Sequence, residues 1–252
     1  MALNQTLIGS HTVFLSETSS TNDSLKLLFA NEALAEGSVL YTSFQSSGRG
    51  QQEANWESES GKNLLMSVLL KPTFLQAEEQ LWLNICVSLA LKETITEISG
   101  CKSFIKWPND IYAQHHKIAG ILIENVLQGS KIKFSIIGIG LNINQVYFKN
   151  NKAKSLCQLA EKQFNVNEAR KILCKNLDHF YLLLRQKQWP ILWDLYHQNL
   201  YGKGEMAKFI LNGKEVTAQI LGLDRLGKLH LLIEDEVKSF ANRVVTFVDL
   251  IP

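Results

Sequence analysis

The sequence pattern changes at the YGKG segment, residues 201–204, from mixed helix and strand signals to strand signals alone. From Met206 onward, short apolar stretches alternate with turn signals such as the NG pair at 212–213. That pattern is typical of a small five-stranded barrel of about 50 residues. At 252 residues, the chain is long for one domain and short for two full ones. We therefore predict a large domain over 1–202 and a small β-barrel over 203–252.

The larger segment combines strand signals with a few helices. Runs of apolar and β-branched residues predict strands at 12–16, 39–44, 63–70, 104–107, 118–125 and 132–144. Capping residues, helical periodicity and terminal glycines predict helices from Thr21 or Asn22 to about Ala35, over 78–98, over 167–185 and around 191–200. Because strands and helices share one domain, we predict the α+β fold class.

Composition places the chain among ordinary globular proteins. Hydrophobic residues make up 46% of it, charged residues make up 20%, and the net charge is +2. The N-terminus lacks the basic start and apolar run of a signal peptide, and no apolar stretch is long enough to span a bilayer, so no membrane partner is expected. Acids and bases are interspersed, so we predict no nucleic-acid footprint and interpret the densest basic stretch, KNNKAK at 149–154, as a solvated loop.

The cysteines indicate a reducing compartment. Cys86, Cys101, Cys157 and Cys174 are far apart, form no C-x-x-C pair and have no histidine partner at metal-ligand spacing. This pattern argues against a zinc site. Together with the N-terminal sequence, it predicts a cytoplasmic protein.

Three common site motifs are absent from the sequence. Every Gly-Lys pair is followed by Asn, Gly, Glu or Leu, which excludes a P-loop. Gly48-x-Gly50 and Gly138-x-Gly140 both lack the third glycine of a dinucleotide fingerprint. No G-x-S-x-G elbow is present for a serine nucleophile.

Three polar segments look unlike ordinary core or surface. SSTND at 19–23 places hydroxyls and an amide at a predicted helix start, where free N–H groups attract acceptors. Taken alone, the segment is better explained as a plain N-cap. The stretch 45–63 is long for a structureless loop, and Trp56 argues against a simple surface linker because a large aromatic needs something to cover. GIGLNIN at 138–144 ends a strand with two glycines, which fits a close ligand or a bulge at a sheet edge.

A fourth segment, KWPNDIYAQHHK at 106–117, places a carboxylate and a lysine at one corner. The Pro-Asn pair before Asp110 favours a turn, so that this carboxylate lies at a strand tip. Lys117 opens the next predicted strand, and we interpret it as the single cation of the corner. The two groups form either a structural ion pair or a site that faces an anion. His115 and His116 are interpreted as solvated turn residues.

Taken together and in this order, the four segments resemble the biotin protein ligases, also called biotin–acetyl-CoA-carboxylase ligases. The matching features are a Ser-Thr-Asn helix start, a G-R-G loop closing on a tryptophan, K-W-P-N-D, K-x-x-G-I-L-x-E and G-I-G-x-N. The match runs from about residue 12 to the end. The resemblance implies a mixed β-sheet with flanking helices, which is the biotin/lipoate ligase catalytic fold, followed by a small C-terminal SH3-like β-barrel.

The resemblance also implies a two-step reaction. The carboxylate of biotin attacks the α-phosphate of ATP and gives biotinyl-5′-AMP and pyrophosphate. A lysine of a biotin carboxyl carrier protein or domain then attacks the mixed anhydride. Two anions meet in the first step, so a fixed cation is needed where charge accumulates, and the resemblance assigns this role to Lys117.

Further site residues follow from the same resemblance. Lys117, Asp110 and Arg49 are the expected catalytic residues, and Asp110 is the expected ligand of Mg²⁺. The expected biotin-binding residues are Ser20, Thr21, Asn22, Gln45, Gly48, Arg49, Lys117 and Gly120. The expected residues for ATP and the adenylate are Arg49, Gly50, Trp56, Asn109 and Asn142.

The sequence departs from the family pattern in two places. Relatives commonly read G-R-G-R-R-G-x-x-W, whereas this chain has Gln51, Gln52 and Glu53 after its G-R-G. We therefore expect the loop to close over the adenylate in a different way. The dozen residues before the first predicted strand are too few for the winged helix of repressor-type members, so operator binding is not expected.

Two alternatives stay open. A lipoate or octanoate protein ligase shares the fold and uses one lysine, but it needs a narrow apolar tunnel rather than a polar Ser-Thr-Asn-Gln set. A non-catalytic adenylate-binding module requires that Lys117 or Asp110 point away from the pocket. The sequence is compatible with a homodimer, and it leaves open whether the C-terminal barrel contacts ATP or the carrier.

Overall fold

The computed structural model describes residues 6–51 and 54–251, and its first part is built on a seven-stranded sheet. The strands are β1 (Thr12–Thr18), β2 (Val39–Gln45), β3 (Leu64–Leu70), β4 (Phe104–Lys106), β5 (Asp110–Ala113), β6 (His116–Gln128) and β7 (Lys131–Leu141). Their order in the sheet is β1-β2-β3-β7-β6-β5-β4, in which β1 and β2 are parallel and all other neighbours are antiparallel. The sheet is therefore mixed, as predicted.

Helices cover both faces of this sheet. Within the described part of the chain they are α1 (Thr21–Asn31), α2 (Gln80–Ser99), α3 (Leu156–Ala160), α4 (Val166–Arg185) and α5 (Trp189–Gln198), with a 3-10 helix at Ala77–Glu79. Met66 and Val68 of β3 join the large core beneath α2 and α4, whereas Leu69 packs in a second cluster with Leu25 of α1. None of the helices described here is long and apolar enough to cross a membrane.

The centre of the sheet brings glycines into one region. All seven residues of β3 are buried, which is expected of a strand covered on both faces. The adjacent strands β6 and β7 form a long hairpin whose register places Gly120 opposite Gly140 and Leu122 opposite Gly138. Three glycines in neighbouring rungs leave part of the sheet surface without side chains, so another group can approach the backbone closely.

A second, antiparallel sheet follows. Its strands are β8 (Met206–Leu211), β9 (Lys214–Leu223), β10 (Leu229–Ile233), β11 (Glu236–Phe240) and β12 (Val245–Leu250), in the order β11-β10-β9-β8-β12. The arrangement agrees with the predicted SH3-like unit. Among the described residues no ladder joins β11 to β12, so hydrogen bonding does not close the sheet into a complete barrel. The domain boundary after residue 202 stays a prediction.

The two sheets touch near the β4–β5 corner. The Trp107 indole Nε1 donates to the carbonyl oxygen of Gly227 at 3.0 Å. The backbone N–H of Leu223 donates to Nε2 of His197 at 3.1 Å, which ties α5 to β9. The C-terminal sheet therefore lies beside the segment in which the sequence placed its lysine and carboxylate.

Several boundaries differ from the predictions. Ser20, rather than Thr21 or Asn22, is the N-cap of α1, and the helix ends at Asn31 instead of near Ala35. The chain leaves the helix early because Leu34 is buried in the small core with Leu25. The strand β5 and the helix α3 were not predicted, because four or five residues are too few to show a periodicity.

Candidate active site

A cavity of about 330 Å³ lies between the first sheet and the C-terminal sheet. This volume is in the range of small-molecule sites. Its wall is formed by the start of α1, the loop after β2, the β4–β5 corner, the glycine-rich part of β6 and β7, and one end of the C-terminal sheet. Of the predicted site residues, all but Gly48 and Asn142 lie in this wall. Segments that are distant in sequence thus meet at one place.

The two exceptions have structural positions behind the wall. A Cβ added at Gly48 would come within 2.8 Å of the Trp56 carbonyl oxygen, so this glycine lets the loop fold back on itself. Asn142 is buried, and its Nδ2 donates to the carbonyl oxygen of Lys154 at 3.1 Å. Its predicted contact with phosphate has no geometric support, because the side chain faces the chain that follows β7 rather than the cavity.

One part of the cavity wall is formed by neutral groups, Thr21, Asn22 and Gln45, and the buried Ser67 lies behind them. We call these four residues the amide–hydroxyl end. The backbone N–H and Oγ1 of Thr21 donate to Gln45 Oε1 at 2.8 and 3.0 Å. The Ser67 hydroxyl lies 2.8 Å from Thr21 Oγ1 and 2.6 Å from Asn22 Oδ1. Asn22 Nδ2 donates to Glu124 Oε2 at 2.7 Å. The predicted biotin-binding side chains are therefore fixed by one another.

Sequence reasoning missed two members of this network. Ser67 is the single polar residue in the buried run LLMSVLL, and that interruption is the signal that could have found it. Glu124 is the last residue of the K-x-x-G-I-L-x-E motif, and its place in that motif is the signal for it. A buried hydroxyl and a carboxylate at these positions orient the amides of the site.

Another part of the cavity wall is charged, and we call it the cation end (Lys106, Asp110 and Lys117). Lys117 Nζ lies 2.7 Å from Asp110 Oδ1, and the side chains are 28% and 15% exposed. The contact is an ion pair between an ammonium group and a carboxylate. The two residues come from the adjacent strands β5 and β6, and a bulge after Ile111 shifts the register between them. Both line the cavity, so neither points away from it.

Lys117 is not the single cation of this corner, which corrects the sequence interpretation. Lys106 also lines the cavity, with its ammonium 5.1 Å from the Tyr112 ring and 4.9 Å from the Phe247 ring. Burial lowers the pKa of Lys106, Asp110 acts against this shift, and Lys117 adds to it. Two ammonium groups thus face one carboxylate, and this excess of positive charge suits an anionic ligand. Lys106 was visible as the first residue of K-W-P-N-D.

Trp56 covers the bare part of the sheet. A Cβ added at Gly120 would lie 3.0 Å from Trp56 Cζ3, and one added at Gly140 would collide with the indole. The Lys117 ammonium is 5.7 Å from the ring. The indole Nε1 is buried against the sheet and has no hydrogen-bond partner among the described residues, so packing rather than a hydrogen bond holds the tryptophan on the glycines.

Arg49 is held by carboxylates. Its Nη2 lies 2.6 Å from Asp23 Oδ1 and 3.5 Å from Glu124 Oε1. All three side chains are at least one-third exposed, and ion pairs of this kind contribute about 1 kcal/mol or less. Arg49 can therefore exchange a carboxylate for a phosphate at small cost.

The C-terminal sheet contributes to the same cavity. Asn242, Arg243 and Phe247 are part of its wall. Asn242 Nδ2 donates to Gln51 Oε1 at 3.0 Å, which joins the β11–β12 turn to the loop after β2. Gln51 is the first of the residues that depart from the family pattern; the next two, Gln52 and Glu53, lie outside the described residues.

The carboxylates of the site allow a metal ion only together with a ligand. Among the described residues, no group of three His, Cys, Asp or Glu side chains is arranged to hold a metal. Mg²⁺ keeps several waters and is commonly bound by one or two carboxylates plus substrate phosphates. Asp110, partly buried in the cavity wall, fits such a minimal donor set.

Comparison with known proteins identifies the family. The model of the biotin/lipoate A/B protein ligase family matches residues 14–142, which is more than half of the chain. The chain belongs to this family. The predicted resemblance is confirmed, and the matched residues include the first sheet and most of the cavity wall.

Individual members give the same result. The bifunctional ligase/repressor BirA of Bacillus subtilis is 35% identical over 140 residues, which are 55% of this chain and 42% of that protein. The biotin–[acetyl-CoA-carboxylase] ligase of Mycobacterium tuberculosis is 31% identical over 134 residues, which are 52% of this chain and 48% of that ligase. The matched region thus spans less than half the length of these relatives.

A solved structure extends the likeness to nearly the whole chain. The biotin protein ligase of Aquifex aeolicus, in complex with biotin and ATP, superposes with a TM-score of 0.80 and 26% identity. The superposition covers 95% of this chain and 99% of that protein. The predicted fold, a mixed sheet with flanking helices and a second C-terminal sheet, is confirmed.

Proposed function

We propose that this protein is a biotin–[biotin carboxyl-carrier protein] ligase, which forms biotinyl-5′-AMP from biotin and ATP and transfers biotin to a lysine of a carrier protein or domain. The observation that carries the proposal is the cavity itself. Its cation end and its amide–hydroxyl end lie in one wall, so a ligand with a polar ring at one end and a carboxylate at the other fits between them.

The amide–hydroxyl end supports recognition of the ureido ring of biotin. Thr21, Asn22 and Gln45 offer both donors and acceptors in fixed positions. A ligand without matching polar groups would leave these side chains unpaired, and buried unpaired groups are costly. A lipoyl or octanoyl chain carries no ureido group, so this end favours biotin over the lipoate or octanoate ligase alternative.

The cation end supports the first step. A carboxylate oxygen of biotin forms a bond to the α-phosphorus of ATP, and the bond from that phosphorus to the pyrophosphate oxygen breaks. Negative charge accumulates on the phosphoryl oxygens, and the ammonium groups of Lys117 and Lys106 are positioned to stabilise it in a partly dehydrated cavity. Arg49, released from Asp23, would add a third cation.

The same end supports the second step. The neutral amine of the acceptor lysine attacks the carbonyl carbon of the anhydride, an amide bond forms, and AMP leaves with the bridging oxygen. The attacking nitrogen must lose a proton, and the Asp110 carboxylate is the group beside Lys117 that can accept it. When Mg²⁺ enters with ATP, Asp110 would hold it and the ion would neutralise phosphate charge.

The decisive experiment measures both half-reactions. Purified protein is incubated with radiolabelled biotin, ATP and MgCl₂, first alone to detect biotinyl-AMP and then with a purified carrier domain, with excess lipoate as competitor in parallel. We expect adenylate and labelled carrier, and little competition by lipoate. Absence of both products, or labelling abolished by lipoate, would overturn the proposal. A cytoplasmic location and a homodimer stay predictions of the sequence.

A further inference from the structure

The segment 146–154, here called the rim segment, is tied directly to the cation end. Lys117 N donates to the carbonyl oxygen of Lys152 at 2.8 Å, and Lys154 N donates to that of Lys117 at 3.1 Å. The segment therefore runs beside the start of β6 like a short extra strand. The sequence interpretation of KNNKAK as a simple solvated loop is incomplete, because its backbone is anchored at the central lysine of the site.

Side chains fix the first part of the rim segment. The buried Gln145 donates through Nε2 to the Tyr147 carbonyl oxygen at 2.7 Å, and Gln158 donates to that of Val146 at 3.0 Å. The backbone is thus held in place, yet the side chains of Tyr147 and Val146 are 80% and 51% exposed. An exposed tyrosine on a fixed backbone is a favourable contact residue, because little conformational freedom is lost when it is covered.

The rest of the rim segment is basic and close to the cavity wall. Lys149 and Lys152 are exposed, and no salt bridge within the described residues involves either of them. Lys152 Nζ donates to the carbonyl oxygen of Val248 at 3.0 Å, next to Phe247 of the cavity wall. The Lys152 charge also contributes to the lowered pKa of Lys106, so it lies within electrostatic reach of the cation end.

We propose that the rim segment is the docking surface for the acceptor domain, with Tyr147 as its apolar contact and Lys149 and Lys152 facing carboxylates of that domain. The inference rests on the proposed function. A lysine that attacks an anhydride beside Lys117 must be delivered by a folded domain, and that domain has to cover the surface next to Lys117. A basic, unpaired rim recognises an acidic partner and accelerates its encounter.

The chain offers a matched control at the far end of the same hairpin. Lys131 and Lys133 are exposed, belong to β7 and form no salt bridge within the described residues. β6 runs from the rim toward them, since Gln128 pairs with Lys131. Eleven strand residues separate Lys117 from that pair, which corresponds to about 35 Å.

The first test compares two double charge reversals, Lys149→Glu with Lys152→Glu and Lys131→Glu with Lys133→Glu. Three rates are measured: biotin-dependent ATP–pyrophosphate exchange, discharge of biotinyl-AMP to hydroxylamine, and transfer to a purified biotin carboxyl carrier domain. We expect the rim variant to raise the KM for the carrier domain about tenfold. The other two rates should change much less, by about threefold at most, because Lys152 reaches Lys106 only through its charge. The control variant should leave all three unchanged. Added salt should raise the wild-type KM for the carrier domain and reduce the difference in KM between the wild type and the rim variant.

The second test uses the aromatic contact and does not change charge. Tyr147→Ala should raise the KM for the carrier domain about tenfold, whereas Tyr147→Phe should keep it within about threefold of wild type. Neither substitution touches the buried network of the cavity, so exchange should continue at the wild-type rate.

The outcomes separate the two proposals. If the rim and control reversals raise the KM for the carrier domain equally, the effect is due to the overall charge of the protein, and the proposed docking surface is wrong. A loss of exchange in the rim variants would assign the segment to adenylate formation and also overturn it. Failure of wild-type protein to catalyse exchange at all would overturn the proposed function instead.

Discussion

The two ends of the cavity are stabilised in opposite ways. At the amide–hydroxyl end, Thr21, Asn22 and Ser67 are at most 4% exposed and satisfy one another by short hydrogen bonds. At the cation end, Lys117 and Asp110 are partly exposed and held by one ionic contact. Arg49 is also held by ion pairs, but its partners Asp23 and Glu124 lie beside Asn22. The amide–hydroxyl end is a buried network of hydrogen bonds, whereas the cation end is held by an ion pair.

This difference separates recognition from chemistry. A buried network is costly to disturb, because each lost partner leaves a polar group unsatisfied in a medium of low dielectric constant. The ion pairs of Arg49 are exposed and cheap to break, so under the proposed function Arg49 can exchange a carboxylate for a phosphate. The Lys117–Asp110 pair is less exposed and costs more to separate. Under the proposed function, the amide–hydroxyl end is therefore formed before the ligand binds, and the ligand completes the cation end.

The largest effect is expected from Lys117→Ala. Removal of a fixed donor from a charge-stabilising site commonly costs 10²–10³ in rate, so ATP–pyrophosphate exchange should fall about 10³-fold. Biotin binding, measured by calorimetry, should change much less if the two ends are independent. Lys131→Ala is the control for a lost lysine. Exchange at the wild-type rate would show that Lys117 is only a structural partner of Asp110.

Ser67→Ala tests the closed network. The substitution leaves Thr21 and Asn22 each without one partner, at a cost of about 1–3 kcal/mol, and should weaken biotin binding roughly tenfold with little change in the rate of the chemical step. Ser88→Ala is a matched control, because the Ser88 hydroxyl is buried without a partner among the described residues. If both variants bind biotin like the wild type, the network does not position the recognition groups.

A smaller effect is expected where the C-terminal sheet touches the loop after β2. Asn242→Ala removes the hydrogen bond to Gln51, and a single bond of this kind contributes about 0.5–1.5 kcal/mol. Release of biotinyl-AMP, followed in a filter-binding chase, should therefore become about threefold faster. Gln219→Ala removes a hydrogen bond to Gly204 elsewhere in the same sheet and should leave release unchanged. A release rate equal to the wild type in both would show that the contact does not retain the adenylate.

The smallest effect concerns stability against pH. Burial lowers the pKa of His197 below its ordinary value of 6.5, and Lys203 acts in the same direction, while Asp194 opposes it. The neutral ring donates from Nδ1 to Trp193 O and accepts the Leu223 N–H at Nε2. The folded state thus favours the neutral form.

The sign of the dependence follows from this preference. The contribution of His197 is fully present above pH 6.5 and is lost as the pH falls through the lowered pKa. Between pH 7.5 and pH 5, the free energy of unfolding should decrease in the wild type and in His197→Asn. The decrease should be larger in the wild type, by at most about 1 kcal/mol. The exposed His179→Asn variant should retain the wild-type slope, and identical slopes in all three proteins would exclude a role of His197.

Motif residues could be placed in the site from the sequence, and several of their neighbours could not. Lys117, Asp110 and Trp56 stood out because a cation beside a carboxylate and a tryptophan in a polar loop are unusual in any context. Ser67 did not, since a serine inside an apolar strand is also compatible with an ordinary core. Which turn of the C-terminal sheet meets the loop after β2 depends on packing between the sheets, and no local pattern encodes it.

Secondary structure was likewise predictable where local patterns determine it and not where tertiary packing does. The long strands and the strongly periodic α4 were predicted to within a few residues, because their patterns repeat many times. The early end of α1 was missed, because the burial of Leu34 is a tertiary effect that overrides local helix propensity.

The shared cavity limits the modularity of this protein. Arg243 and Phe247 of the second sheet face the same chamber as Lys117 of the first. A chimera that joined the first sheet to the second sheet of a relative would therefore change the wall of the cavity as well as the C-terminal segment. Under the proposed function, ligand preference and the lifetime of the adenylate would therefore depend on both sheets together.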